Sequence, residues 1–191
     1  MITTLTKEST TETMCQTLLK DGVFKIENYL TGETLQGLHD DILNRCENEA
    51  GHYEFGRNYR GENISTFPKD GAIFKAYDEK WMRVLHEVYT GHTDNYGMNV
   101  FATHDYKFDG ELARNGWLHF DKHWRLKFFI YLTDIDKSSG AFNCSVGSRP
   151  NGRKLRQQIW GTQQRDQNRI DLDYPELLSE YPCEPVEAPA G

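Results

Sequence analysis

Positive charge is in short supply in this sequence. Twenty-two Lys and Arg stand against 29 Asp and Glu, a net charge of −7 over 191 residues. A broad nucleic-acid surface needs a basic field to displace the counterions of phosphate, so that class is set aside. Long apolar runs are also missing. The longest strongly apolar run, "FFIYL" at 128–132, is far below the roughly 20 residues that a membrane-spanning helix requires. The opening "MITTLTKESTTETM" has no basic start followed by an apolar core, so no secretory signal is legible. Cysteine is sparse, and Cys15, Cys46, Cys144 and Cys183 show neither a zinc-site spacing nor a CxxC pair. Reduced, mostly buried thiols in a cytoplasmic protein are therefore expected.

What is present is a polar globule with 37% apolar residues. Aromatics reach 13%, which argues against disorder, a state poor in aromatic side chains. The length predicts one domain, 1–191, with no internal repeat and no low-complexity linker. One stretch departs from the acidic balance. Between 149 and 169 the chain carries Arg149, Arg153, Lys154, Arg156, Arg165 and Arg169 against the single acid Asp166. Two readings stand side by side, a solvated loop or helix face and a local anion site.

The first part, 1–94, reads as a mostly helical flank. Met14, Leu18 and Leu19 recur at helical spacing, and Gly22 is placed to end that helix in the left-handed conformation. "VFKIENYL" at 23–30 alternates loosely and is read as a short strand. Thr31 is a candidate N-cap for a helix whose stripe is Leu35, Leu38, Ile42 and Cys46, stopped by Gly51. A third helix is predicted from Asp78, with Trp81, Leu85, Val88 and Tyr89 inward, ending at Gly91.

From about Asn95 the period shifts towards two. "YGMNVFATHDYKF" predicts a strand leading to a turn at Asp109-Gly110, "GWLHFD" a second strand, "RLKFFIYLTDI" a third and "AFNCSVGS" a fourth, after a turn at 138–140. A polar insertion with helical pieces occupies about 150–181, and "PCEPVEAPAG" reads as an extended edge followed by a turn. Helices first and spaced antiparallel strands later predict an α+β, mainly β class, of jelly-roll or another barrel-like sandwich type.

The candidate site lies in "GWLHFDKHW", where His119, Asp121 and His123 occupy alternate positions. Side chains at i and i+2 leave the same face of a strand, so His119 and Asp121 can meet one ion. Positions i and i+4 lie about 13 Å apart at a rise of roughly 3.3 Å per residue. Metal–ligand bonds are about 2 Å, so His123 can share that ion only if the chain bends sharply after Asp121. One His and one carboxylate on a strand, joined by a later His, is the recipe for a two-His-one-carboxylate triad of a non-haem Fe(II) oxygenase.

These blocks together carry a resemblance. "LLKDGVFKIENYLTGETLQGLHDDI", "GWLHFD" and "LKFFIYLTDIDKSSGAFNCSVGSRP" resemble the phytanoyl-CoA dioxygenase-like branch of the Fe(II)/2-oxoglutarate-dependent oxygenases, and "VEAPAG" is similar to the entry to its "GD-apolar" strand. The similarity runs from about residue 18 to the last residue, and its central block is the specific part. It implies a double-stranded β-helix (jelly roll) with N-terminal flanking helices, and barrel strands over 95–191. It implies Fe(II) held by His119 and Asp121, with 2-oxoglutarate as co-substrate, dioxygen as the oxidant and a small organic substrate that is hydroxylated. The presence of Asp121 speaks against halogenation, because halogenases of this type lack the carboxylate. No nucleic-acid or membrane partner is implied, and the oligomeric state is not legible.

Two departures from the family matter. Its third ligand is a distal His, followed by an Arg that anchors 2-oxoglutarate, and here no histidine follows His123. The last barrel strands are therefore expected to be missing, the chain being read as C-terminally incomplete. The rival is a complete 191-residue protein, a non-catalytic jelly-roll binder or a pseudo-enzyme without the distal His. The second departure is Arg149, which stands where the family's loop usually carries His.

Lys127, Phe129 and Tyr131 alternate on the strand after the motif and so share a face. If that face looks into the barrel, Tyr131 hydrogen-bonds 2-oxoglutarate, Phe129 lines its pocket and Lys127 offers it a cation. Otherwise the two aromatics are core and Lys127 sits at a rim. Phe101, with Thr103 on the preceding strand, lines the same pocket or packs in the core. Asn115 and Trp117 are candidates to contact substrate or to support the ligands.

Overall fold

The computed structural model describes residues 1–48, 51–53, 56–77, 79–92, 98–105, 117–121, 123–162 and 167–191, with the backbone alone at 51–53, 56–62, 79 and 105. The architecture is α+β, with small sheets and no closed barrel among the described residues.

Helix α1 (Thr11–Asp21) begins where Thr10 accepts a hydrogen bond from the Thr13 amide and ends at Gly22, whose φ of 79° is left-handed. Before it, β1 (Thr4–Leu5) runs parallel to β2 (Lys25–Ile26). The strand expected over 23–30 is thus confined to two residues. Asn28 has a φ of 57°, which turns the chain out of the extended region. Helix α2 (Gly32–Asn48) buries Leu38, Ile42 and Cys46 as its stripe predicts.

The flank is less helical than its sequence suggests. Strands β3 (Gly51–Tyr53) and β4 (Gly56–Asn63) form a hairpin, and β4 pairs antiparallel with β5 (Asn99–Asp105). A 3-10 turn at Ile64–Thr66 and the short helix α3 (Ala72–Lys75) follow. Helix α4 (Glu79–Thr90) ends before Gly91, at a φ of 74°. It buries Met82 and Leu85, whereas Val88, expected inward, is 38% exposed. At about 100° per residue the apolar stripe centres on Met82, Leu85 and Tyr89, and Val88 falls on its margin.

Two apolar cores result. In one, Leu38, Ile42 and Cys46 of α2 meet Leu30, Ile64 and Phe67. In the other, Met14 and Leu18 of α1 meet Leu85 of α4. The segment 125–135 joins them. Leu126 and Phe128 pack on the second core, and Ile130 and Leu132 on the first. Its side chains alternate as expected, with Arg125, Lys127 and Phe129 exposed. The expected ladders over 116–121 and 125–135 reduce, among the described residues, to isolated bridges, His119 to Arg169 and Ile135 to Ala188.

The turn at 137–140 forms, with the Asp136 carboxylate accepting from the amides of Ser138 and Ser139. Strand β6 (Asn143–Ser145) pairs antiparallel with β7 (Cys183–Pro185). Between them the polar insertion is helical, as predicted: α5 (Arg149–Ile159), α6 (Ile170–Asp173) and α7 (Pro175–Glu180). Gly191 donates its amide to the Tyr131 carbonyl and accepts from the Leu30 amide. Its φ is 85°, and a side chain there would collide with the Leu30 carbonyl. No helix among the described residues is long and apolar enough to cross a membrane. The predicted turn at Asp109-Gly110 lies outside the described residues.

Candidate metal centre

The segment 117–121 is held from one side by 168–170. Phe120 donates its amide to the Asn168 carbonyl at 3.1 Å, and Ile170 donates to the Leu118 carbonyl at 2.7 Å. The Asn168 side-chain amide adds a bond to the Phe120 carbonyl at 2.8 Å. Phe120 is buried, so His119 and Asp121 leave the opposite face, as extended geometry requires.

The structure brings those two side chains together, with His119 Nε2 3.8 Å from Asp121 Oδ1. The imidazole is oriented locally, since its Nδ1 lies 2.6 Å from the Trp117 carbonyl oxygen. A carbonyl can only accept, so Nδ1 carries a hydrogen and Nε2 is the ring nitrogen turned towards Asp121. The carboxylate is oriented as well. Lys127 Nζ lies 2.8 Å from Asp121 Oδ2, which leaves Oδ1 as the oxygen facing the histidine. One nitrogen and one oxygen donor, each with its other atom engaged by the chain, suit Fe(II) and related divalent metals. Both side chains remain about one-third exposed, at 34% and 32%, so the pair is open to an incoming ion.

His123 does not join them. Its ring packs edge-on against Trp160 at 5.3 Å, and no group of three His, Cys, Asp or Glu side chains among the described residues could hold a metal.

The other candidates are dispersed. Phe129 is 56% exposed and stacks at 4.6 Å on Phe142, itself partly exposed. The Tyr131 hydroxyl donates to the Val186 carbonyl and accepts from the Phe142 amide, and burial raises its pKa. Phe101, on β5 opposite Arg60, is exposed, as is Thr103 opposite Asn58. Trp117 lies beneath the Arg169 guanidinium at 4.3 Å. Asn115 lies outside the described residues.

The basic stretch packs on aromatic faces. The guanidinium groups of Arg149, Arg153 and Arg156 lie 5.6, 5.8 and 4.2 Å from the Trp124 ring centre. Trp124 in turn meets Tyr89 of α4 edge-on at 5.7 Å. Burial raises the Tyr89 pKa and lowers that of Arg156, with the Asp121 carboxylate opposing the latter shift. Arg169 pairs with Asp171 through two bonds of 2.8 Å. Sequence reasoning missed Arg156 and Asn168 as supports of the motif. The recurrence of Arg at 149, 153 and 156 was the available signal, marking one helix face able to stack on an aromatic surface. No family model, no curated protein and no solved structure matches the chain.

Proposed function

We propose that this chain is an Fe(II)- and 2-oxoglutarate-dependent dioxygenase domain of the phytanoyl-CoA dioxygenase-like type, a jelly roll with N-terminal flanking helices, hydroxylating a small organic substrate. The observation that carries the reading is the convergence of His119 Nε2 and Asp121 Oδ1 at 3.8 Å, with His119 Nδ1 and Asp121 Oδ2 each engaged elsewhere. His119 holds the metal through Nε2 and Asp121 through Oδ1. The Trp117 carbonyl keeps the imidazole in the ligating tautomer, and Lys127 keeps the carboxylate monodentate. Held by His119 and Asp121, Fe(II) would offer open coordination positions for 2-oxoglutarate and dioxygen. The Phe129–Phe142 stack lies on the face shared with Lys127 and provides an apolar flank for a co-substrate or substrate. Four free thiols suit a reducing compartment, and we place the protein in the cytoplasm.

A second reading, a non-catalytic jelly-roll binding protein or pseudo-enzyme, draws on one observation. No third His, Cys, Asp or Glu joins the pair among the described residues. Succinate release from 2-oxoglutarate, measured with Fe(II) over a panel of small organic substrates, separates the two. Release that His119→Ala abolishes supports the dioxygenase. Metal binding with no release across the panel supports the binder, and absence of metal binding refutes the site itself.

A further inference from the structure

We propose that Arg156 is a positioning residue for the metal ligand Asp121, so that helix α5 of the polar insertion belongs to the metal site. The proposal rests on the reading of His119 and Asp121 as ligands. Arg156 Nε donates to the Asp121 carbonyl oxygen at 2.6 Å, across 35 residues of chain. The backbone bonds to 168–170 secure Leu118 and Phe120, and Arg156 secures the next carbonyl along.

The guanidinium is itself held. It lies 4.2 Å from the Trp124 ring centre and 5.9 Å from that of Phe120, so the aromatic side chains flanking Asp121 in sequence set the plane from which Nε donates. Its Nη1 is buried with no hydrogen-bond partner among the described residues. Burying an unpaired donor is unfavourable, so the bond to Asp121 and the ring contacts must offset it. Fixing a residue's carbonyl limits its backbone dihedrals and hence the direction of its Cα–Cβ bond. That direction decides whether Oδ1 faces His119 Nε2.

Neighbouring arginines supply the control. Arg153 also stacks on Trp124, at 5.8 Å, and is exposed. Arg149 bonds the Tyr89 carbonyl.

The test uses the full chain with Co(II) as the probe, titrated by calorimetry, with circular dichroism and thermal melts recorded on each variant. Arg156→Met keeps a long apolar stem and is expected to weaken Co(II) binding about tenfold or more, the loss that follows removal of a ligand's supporting contact. Arg156→Lys retains an N–H donor and recovers part of that loss, which packing alone would not predict. Arg153→Met stays within about twofold of the parent, because no contact with the ligand's backbone is removed. Equal affinity in Arg156→Met and the parent overturns the proposal, as does an equal loss in Arg153→Met. If Arg156→Met fails to fold, Arg156→Lys against Arg153→Met decides, and equal affinities overturn it. If the parent binds no Co(II), the metal reading has failed and the metal-positioning role falls with it. Amide-exchange protection of Phe120 and Ile170 in the metal-free protein then reports separately whether Arg156 holds the segment.

Discussion

Replacing His119 and His123 in turn by Ala gives a matched pair of perturbations. Each side chain is exposed, and each is held by a modest contact. His119 donates to the Trp117 carbonyl at 2.6 Å, a bond whose net contribution is about 0.5–1.5 kcal/mol. His123 meets Trp160 edge-on at 5.3 Å, a contact of about the same size. Both variants should therefore lose about 2–4 °C in Tm. Metal binding should divide them. A metal about 2.1 Å from each of two cis ligands places the donors roughly 3.0 Å apart. The observed 3.8 Å between His119 Nε2 and Asp121 Oδ1 exceeds that value by about 0.8 Å, so the pair must draw together on binding a metal. His119→Ala leaves one carboxylate oxygen as the protein donor and should reduce Co(II) or Fe(II) affinity by more than the roughly tenfold to hundredfold attached to supporting contacts. His123→Ala should stay within about twofold, because Trp160 holds that ring away from the pair. The assay is calorimetric titration alongside thermal melts. An equal or larger loss of affinity in His123→Ala, at comparable Tm, would refute the assignment of His119 as the ligand.

Leu85→Ala and Val88→Ala on helix α4 should differ sharply in urea unfolding. Leu85 is 1% exposed between α1 and α4, and its truncation should cost about 2–5 kcal/mol. Val88→Ala should stay within about 0.5 kcal/mol, and equal losses would mean that the stripe centre is misplaced. Burial pushes the Cys144 thiol up to about 11. At pH 8 its native thiolate population is about a hundredfold below that of a thiol titrating near 9, so alkylation mapped by mass spectrometry should find it slow until about pH 10. The folded state then holds a proton that the unfolded chain releases above about pH 9. This residue's contribution to stability is full below that pH and is lost as pH rises through 11. Fast labelling of native Cys144 at pH 8 would contradict its burial.

Much of the helical framework was legible because its signals are local. Gly22 ends α1, the Leu38–Ile42–Cys46 stripe lies inward, and the insertion after Arg149 carries helices. Alternation over 125–135 also survives in the burial of Leu126, Phe128, Ile130 and Leu132. The hairpin of β3 and β4 escaped notice. Its segment "GHYEFGRNYRGEN" carries no clean alternation of apolar and polar residues, and its pairing with β5 spans some 40 residues.

For the site, residue types and the strand period alone paired His119 with Asp121 and set His123 apart. Those are consequences of backbone geometry within a few residues. The Nδ1 hydrogen on His119, the engagement of Asp121 Oδ2 by Lys127, and the outward turn of Phe129 depended on which groups folding brought alongside. So did the fate of the basic stretch, where the sequence alone left a solvated face and an anion site both open. Arg156 reaches Asp121 across 35 residues and Asn168 reaches Phe120 across 48, so no local period encodes either contact. Local propensity determined where helices start and stop and which side chains share a face. The packing of the polar insertion against the His119–Asp121 segment decided what holds that face in place, because contacts between residues far apart in sequence arise only once the cores have brought their segments together.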